Sequence, residues 1–288
     1  MPVIKYLIDQ FPYVTYHLWV PDFFVDFAKN LLPYANIKGY SKAKEDYNND
    51  FQGRCFTKNG AYTNLRSHMT KQSFHVLANE EPKNEHLNYL QLNLDKINIK
   101  HIKLPEKYVV ICTGYTAPIR EFPAKYINEL TDYIIKKGYT PVFLGKKQSS
   151  LGYEDRILEG NFNQEIDYSK GINLIDKTTL LQTGKIIAGA KTIVGVDNGL
   201  LHVAGCTNIP IVGGYTSVDP EHRMPYRNNI MGWNYYPVVP PESEPEKFFQ
   251  SRYDFIMEHD YRKSYLGNDS LIKSLTPELY INELEKIL

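Results

Sequence analysis

The chain has 288 residues, with 33 Lys+Arg set against 33 Asp+Glu and a formal net charge of +0. That length accommodates two domains of ordinary size, and the neutral balance offers no basic footprint for nucleic acid. Cys55, Cys112 and Cys206 lie too far apart for metal spacing or a disulfide framework, which suits a reducing cytoplasm. No apolar run is long enough to span a membrane and no signal peptide is expected.

Taken in chain order, Pro2 to Gln10 reads as a helix, Val14 to Val20 alternates like a strand, and Asp22 to Leu32 has helical spacing. Residues 41–73 are polar and rich in Lys, Asn and Tyr, and read as an insertion or loop. His68 and His75 lack a carboxylate or cysteine at ligand spacing, so no metal is expected there. LPEKY at 104–108 is read as a linker dividing a domain at 1–105 from one at 106–288.

From Tyr108 the pattern is clearer. Tyr108 to Cys112 is a strand, and the loop after it carries Thr113, Gly114, Thr116 and Arg120. Hydroxyls, a glycine and one cation beside a helix start suit a phosphate; the competing reading makes Arg120 a solvated surface cation. Pro123 opens a helix to about Lys137, Gly138 stops it, and Thr140 to Leu144 is the next strand. Ile172 to Ile175 is a strand, and Thr179 or a neighbour caps a helix holding Leu180, Leu181, Ile186 and Ile187.

The stretch KTIVGVDNGLLHVAGCTNIPIVGG at 191–214 then reads strand, acidic turn, helix, strand, with Thr192 to Val196 and Ile209 to Val212 as the strands. Asp197 and Asn198 either cap the helix or hydrogen-bond a ligand, Gly199 permits close backbone approach, and free N–H groups at the helix start favour an anion. An ordinary capped turn is the alternative. Alternating strands and helices imply an α/β fold with a parallel sheet covered on both faces, binding its ligand at the carboxyl ends of the strands. TSVDPEHRMPYR at 216–227 should line that cleft, bringing His222 and Arg223. VVPPESEPEK at 238–247 is a proline-rich crossover, and Thr276-Pro277 starts a last helix to Leu288.

VGVDNGLLHVAG at 194–205, LIDKTTLLQTGKIIAGAKTIVG before it and TGYTAPIREFPAKY earlier together resemble glycosyltransferase family 9, the ADP-heptose:lipopolysaccharide heptosyltransferases. Asp197, Gly199 and His202 match the family pattern; Asn198 replaces a hydroxyl residue, Asp176 stands where glycine is common, and Arg120 takes the place of a lysine on the donor phosphate. The resemblance covers about residues 108–225. It implies a GT-B architecture of two Rossmann-like domains, with a closing helix that often crosses back to the first domain. Thr116 and Arg120 would contact phosphate, and Asp197, Asn198 and Gly199 would line diphosphate and sugar. His202 would touch ligand or support its helix, and Glu154 falls near a family glutamate that reaches the donor.

In the family a strand and a Gly-Asp turn precede the segment matching Pro2-Val3-Ile4, and that aspartate is the expected base. The N-terminal domain is thus expected to lack its first strand, and no catalytic base is assigned; Asp9 and Asp22 do not match it. The implied function is inverting, metal-independent sugar transfer from a nucleotide-diphosphate donor such as ADP-heptose to a glycan or lipopolysaccharide-type acceptor, with no further cofactor, in the cytoplasm or peripheral to the inner membrane. Rival readings are an inactive or non-enzymatic nucleotide-sugar-binding relative, a sugar-nucleotide epimerase, and a DNA-base glycosyltransferase.

Overall fold

The computed structural model describes residues 1–39, 68–113, 120–146, 165–216, 219–241 and 270–288. The N-terminal part holds helix α1 (Pro2–Gln10), strand β1 (His17–Val20), helix α2 (Val25–Leu31) and strand β2 (Asn36–Gly39), with β1 and β2 parallel. The helix expected from Asp22 opens as a 3-10 turn, Asp22–Phe24, before α2. Helices α3 (Met69–Leu77) and α4 (Asn84–Leu87) follow.

His68 is the N-cap of α3, not a metal ligand. Its Nδ1 accepts from the Thr70 N–H at 3.1 Å and its Nε2 meets the Met224 carbonyl at 2.7 Å. The first contact needs a bare Nδ1, so the ring is neutral with its proton on Nε2. Burial, with His202, His222 and Arg223 nearby, depresses its pKa to about 4, against the acceptor Met224. Because the folded value lies below the unfolded one, the unfolded chain takes the proton first. Stability is therefore expected to hold above about pH 6.5 and to fall by on the order of 3 kcal/mol as pH drops to about 4. Urea melts across that window should show the slope, and His68→Gln should flatten it.

The larger sheet uses strands β3 (Tyr108–Cys112), β4 (Thr140–Leu144), β5 (Ile172–Asn173), β6 (Ile193–Val196) and β7 (Ile211–Gly214). After a small hairpin of β8 (Tyr226–Arg227) and β9 (Ile230–Met231), β10 (Tyr235–Val238) completes it. All its pairings are parallel, in the order β10-β7-β6-β3-β4-β5. Connecting helices are α5 (Ala124–Lys136), α6 (Leu180–Ala188) and α7 (Gly199–Gly205), with α8 (Ser270–Lys273) and α9 (Pro277–Leu284) last. The ladder at β5 ends earlier than Ile175, because the Asn173 side chain turns back to the Ile175 N–H and Asp176 adopts φ 59. That left-handed backbone favours glycine, so it accounts for the residue expected at position 176.

Period-two alternation sorts the strand side chains between two layers. Tyr108, Val110, Cys112, Val142, Leu144, Ile193 and Ile211 face α6, α7 and the N-terminal residues Phe27, Ala28 and Leu31. Val109, Ile111, Phe143, Val194, Val196 and Val212 face α5 and α9. Each fully buried Ile or Leu contributes about 1.5–3 kcal/mol. The last helix, expected to cross back, instead packs on α5, β7 and β10.

Segment 88–104 docks on α6. Lys185 Nζ donates to the Leu94 and Ile97 carbonyls at 3.0 and 2.6 Å, and Gly184 leaves the space that Leu92 fills.

Candidate functional site

Strand order reverses direction between β3 and β6, where the chain winds outward on either side. In such sheets the crevice outside the carboxyl ends at that point binds ligand. The two loops singled out from the sequence leave β3 and β6 there.

Asp197 directly follows β6, its N–H still bonded to the Gly214 carbonyl at 2.9 Å. Its Oδ2 lies 3.6 Å from Arg120 Nη2, and the two side chains are only 12% and 18% exposed. Arg120 is thus drawn into the crevice and is no solvated surface cation. Burial pushes the Asp197 carboxyl up, but Arg120, Arg223 and His202 outweigh it and hold the group below the usual carboxylate range. Asp197 is therefore ionised at neutral pH. Arg223, from the 3-10 turn after β7, also reaches Met69 Sδ at 3.3 Å. Among the described residues the cluster sets two guanidiniums against one carboxylate, a surplus of positive charge that suits a diphosphate.

Asn198 caps α7. Its Oδ1 accepts from the Leu200 and Leu201 N–H groups at 2.9 and 3.3 Å, and its side chain also bonds Cys112. That commits the Asn198 side chain to the turn. Gly199 is different: among the described residues nothing lies within 4 Å of a Cβ added there, so these leave its flank open to a ligand. His202 lies one turn on, 29% exposed, with Nε2 3.9 Å from Asp197 Oδ1 and Nδ1 3.2 Å from the Tyr89 hydroxyl. Burial lowers its pKa, Asp197 opposes this, and the two arginines lower it further. Thr113 continues the strand ladder to the Leu144 carbonyl and bonds the Tyr168 phenol. Gly114, Thr116 and Glu154 lie outside the described residues.

Arg120, Asp197, Asn198, Gly199 and His202 are thus brought together. The 216–227 segment divides: Arg223 serves the crevice, whereas Arg227 is buried far from it. Sequence reading missed Tyr89, which comes from the segment before β3 and has no local motif. The partial signal was Gly205 inside an apolar helix pattern, a sign of close approach.

The Glycosyltransferase family 9 (heptosyltransferase) profile matches residues 43–242, more than half of the chain. Lipopolysaccharide heptosyltransferase 2 of Escherichia coli K12 is 28% identical over 174 residues, covering 59% of this chain and 43% of that protein. Lipooligosaccharide heptosyltransferase 2 of Haemophilus ducreyi is 28% identical over 148 residues, covering 48% and 42%. The chain therefore spans less than half the length of these relatives. Among solved structures, the iron-containing dodecameric glycosyltransferase TibC of enterotoxigenic E. coli H10407 aligns with TM-score 0.67 at 13% identity, over 100% of this chain and 71% of that one. E. coli ADP-heptose lipopolysaccharide heptosyltransferase II aligns with TM-score 0.57 at 16% identity, over 99% and 93%. At such identities the structural likeness speaks to fold, an α/β fold of GT-B type. With the profile match added, the chain belongs to glycosyltransferase family 9.

Proposed function

We propose that this chain is a glycosyltransferase that moves a heptose or related sugar from a nucleotide-diphosphate donor, ADP-heptose foremost, to a glycan or lipopolysaccharide-type acceptor. The observation that carries this is the Arg120–Asp197 pair, with Arg223 beside it, at the strand-order reversal next to the open flank of Gly199. TibC, one of its structural neighbours, is also known in complex with ADP-D-β-D-heptose, which supports that donor class.

In the proposed reaction an acceptor hydroxyl attacks the anomeric carbon from the face opposite the diphosphate. The carbon–oxygen bond to the β-phosphate breaks, its electron pair leaves with the diphosphate, and the attacking hydroxyl releases its proton to water, so configuration inverts. Negative charge growing on that group is met by Arg120 and Arg223, held in place before the reaction. Asp197 accepts from the sugar hydroxyls. With two guanidiniums opposite the diphosphate, turnover is expected to survive EDTA. No described helix is long and apolar enough to cross a membrane, and a membrane-bound acceptor would be met peripherally.

Thermal-shift titration with ADP, UDP, GDP and CDP tests the donor site. At ligand about 100-fold above Kd, binding adds about 2.7 kcal/mol, a rise of about 5–10 °C for a chain of this size. A selective rise with ADP is expected. No rise with any nucleotide would overturn the reading, and binding without transfer would favour a non-enzymatic relative.

A further inference from the structure

Tyr89 reaches the crevice from the segment before β3, and three separate features place it. Its backbone N–H donates to the Tyr226 carbonyl at 2.8 Å. Neighbouring Asn88 exchanges two bonds with Asn229, at 2.5 and 2.8 Å. Its ring lies along α7 where Gly205 makes room: a Cβ there would come within 2.9 Å of Tyr89 Cδ2 and 2.8 Å of Pro225 Cβ. The ring then stacks on His202, with centroids 6.2 Å apart and planes at 29°.

The hydrogen-bond roles follow from the partners. His202 Nε2 faces the Asp197 carboxylate at 3.9 Å, which repels a ring lone pair and attracts an N–H. The carboxylate thus favours a proton on Nε2, though at that distance no hydrogen bond holds it there. Nδ1 carries the lone pair and accepts from the Tyr89 hydroxyl at 3.2 Å.

We propose that Tyr89 is a positioning residue of the donor site: by donating to Nδ1 it fixes His202 as the Nε2–H tautomer and aims that N–H at Asp197. The carboxylate is thereby oriented between Arg120 and the place of a sugar hydroxyl. The effect on donor binding rests on the function proposed above; the tautomer does not.

Nitrogen NMR of isotope-labelled histidine in the ligand-free protein reads the tautomer directly, with His202→Ala assigning the resonances. Wild type should show a bare Nδ1 and a protonated Nε2. Tyr89→Phe keeps the ring and its stacking, and should blur that distinction. It should also weaken ADP-heptose binding about tenfold, the scale of one lost hydrogen bond. In the His202→Ala background the same change should add nothing, because Tyr89 acts through His202. Unchanged His202 resonances in Tyr89→Phe, or losses that simply add, would overturn the proposal. Failure of wild type to bind ADP-heptose would count against the donor site alone, and the spectra would still decide the role of Tyr89.

Discussion

Arg227→Met is expected to lower the unfolding free energy by about 3–5 kcal/mol. Arg227 is 2% exposed and has no carboxylate partner among the described contacts. Instead Nη1 donates to the Thr207 and Ile209 carbonyls at 3.0 and 2.8 Å, and Nη2 to those of Trp233 and Asn234 at 2.6 and 3.0 Å. Its guanidinium also lies 5.4 Å from the centre of the Trp233 ring. Burial depresses its pKa, yet only to about 10, so it remains charged at neutral pH. Charge-assisted bonds contribute about 1.5–3 kcal/mol each, and desolvation of the guanidinium takes back several kcal/mol. The bonds win because the fork ties the turn before β7 to the turn before β10, and methionine leaves these carbonyls without it. Urea unfolding measures the loss; a change below about 1 kcal/mol would mean that desolvation cancels the bonds. Since these turns lie at the strand ends opposite the crevice, nucleotide affinity of the folded variant should stay unchanged.

Arg120→Ala should have the largest effect on the donor side, weakening ADP binding by about 10- to 100-fold, the equivalent of about 1.5–3 kcal/mol. Two losses combine. The phosphate loses a charged donor, and Asp197 loses the strongest of the cations that keep it ionised against its burial. Arg120→Lys should recover only part of the affinity, because a point charge cannot hold the carboxylate and a phosphate oxygen in one fork. Isothermal titration would check both variants. Unchanged affinity in Arg120→Ala would remove Arg120 from the phosphate site.

Where a role depends on neighbours in sequence, it was legible. Thr179 caps α6 with Gln182 closing a capping box, Asn198 caps α7, and Gly138 stops α5 at φ 82. The strands were found because buried parallel strands leave continuous apolar runs. Their ends were less certain: β7 runs Ile211–Gly214 although Ile209 begins the apolar run. Roles created by long-range contact left little trace. Nothing local separates Arg223, in the crevice, from Arg227, buried four residues later. His68 carried no sign that it would cap a helix and bond Met224, and Tyr89 lies 113 residues from the histidine it touches.

The layer that holds α6 and α7 also holds Phe27, Ala28, Leu31, Leu32 and Ile37 from the N-terminal part. The N-terminal part is, on that account, not expected to exchange between family members as a cassette. A chimera that imports a foreign α2 is expected to need the matching face of α6, and one that imports a foreign 88–104 segment to need Gly184, where Leu92 seats.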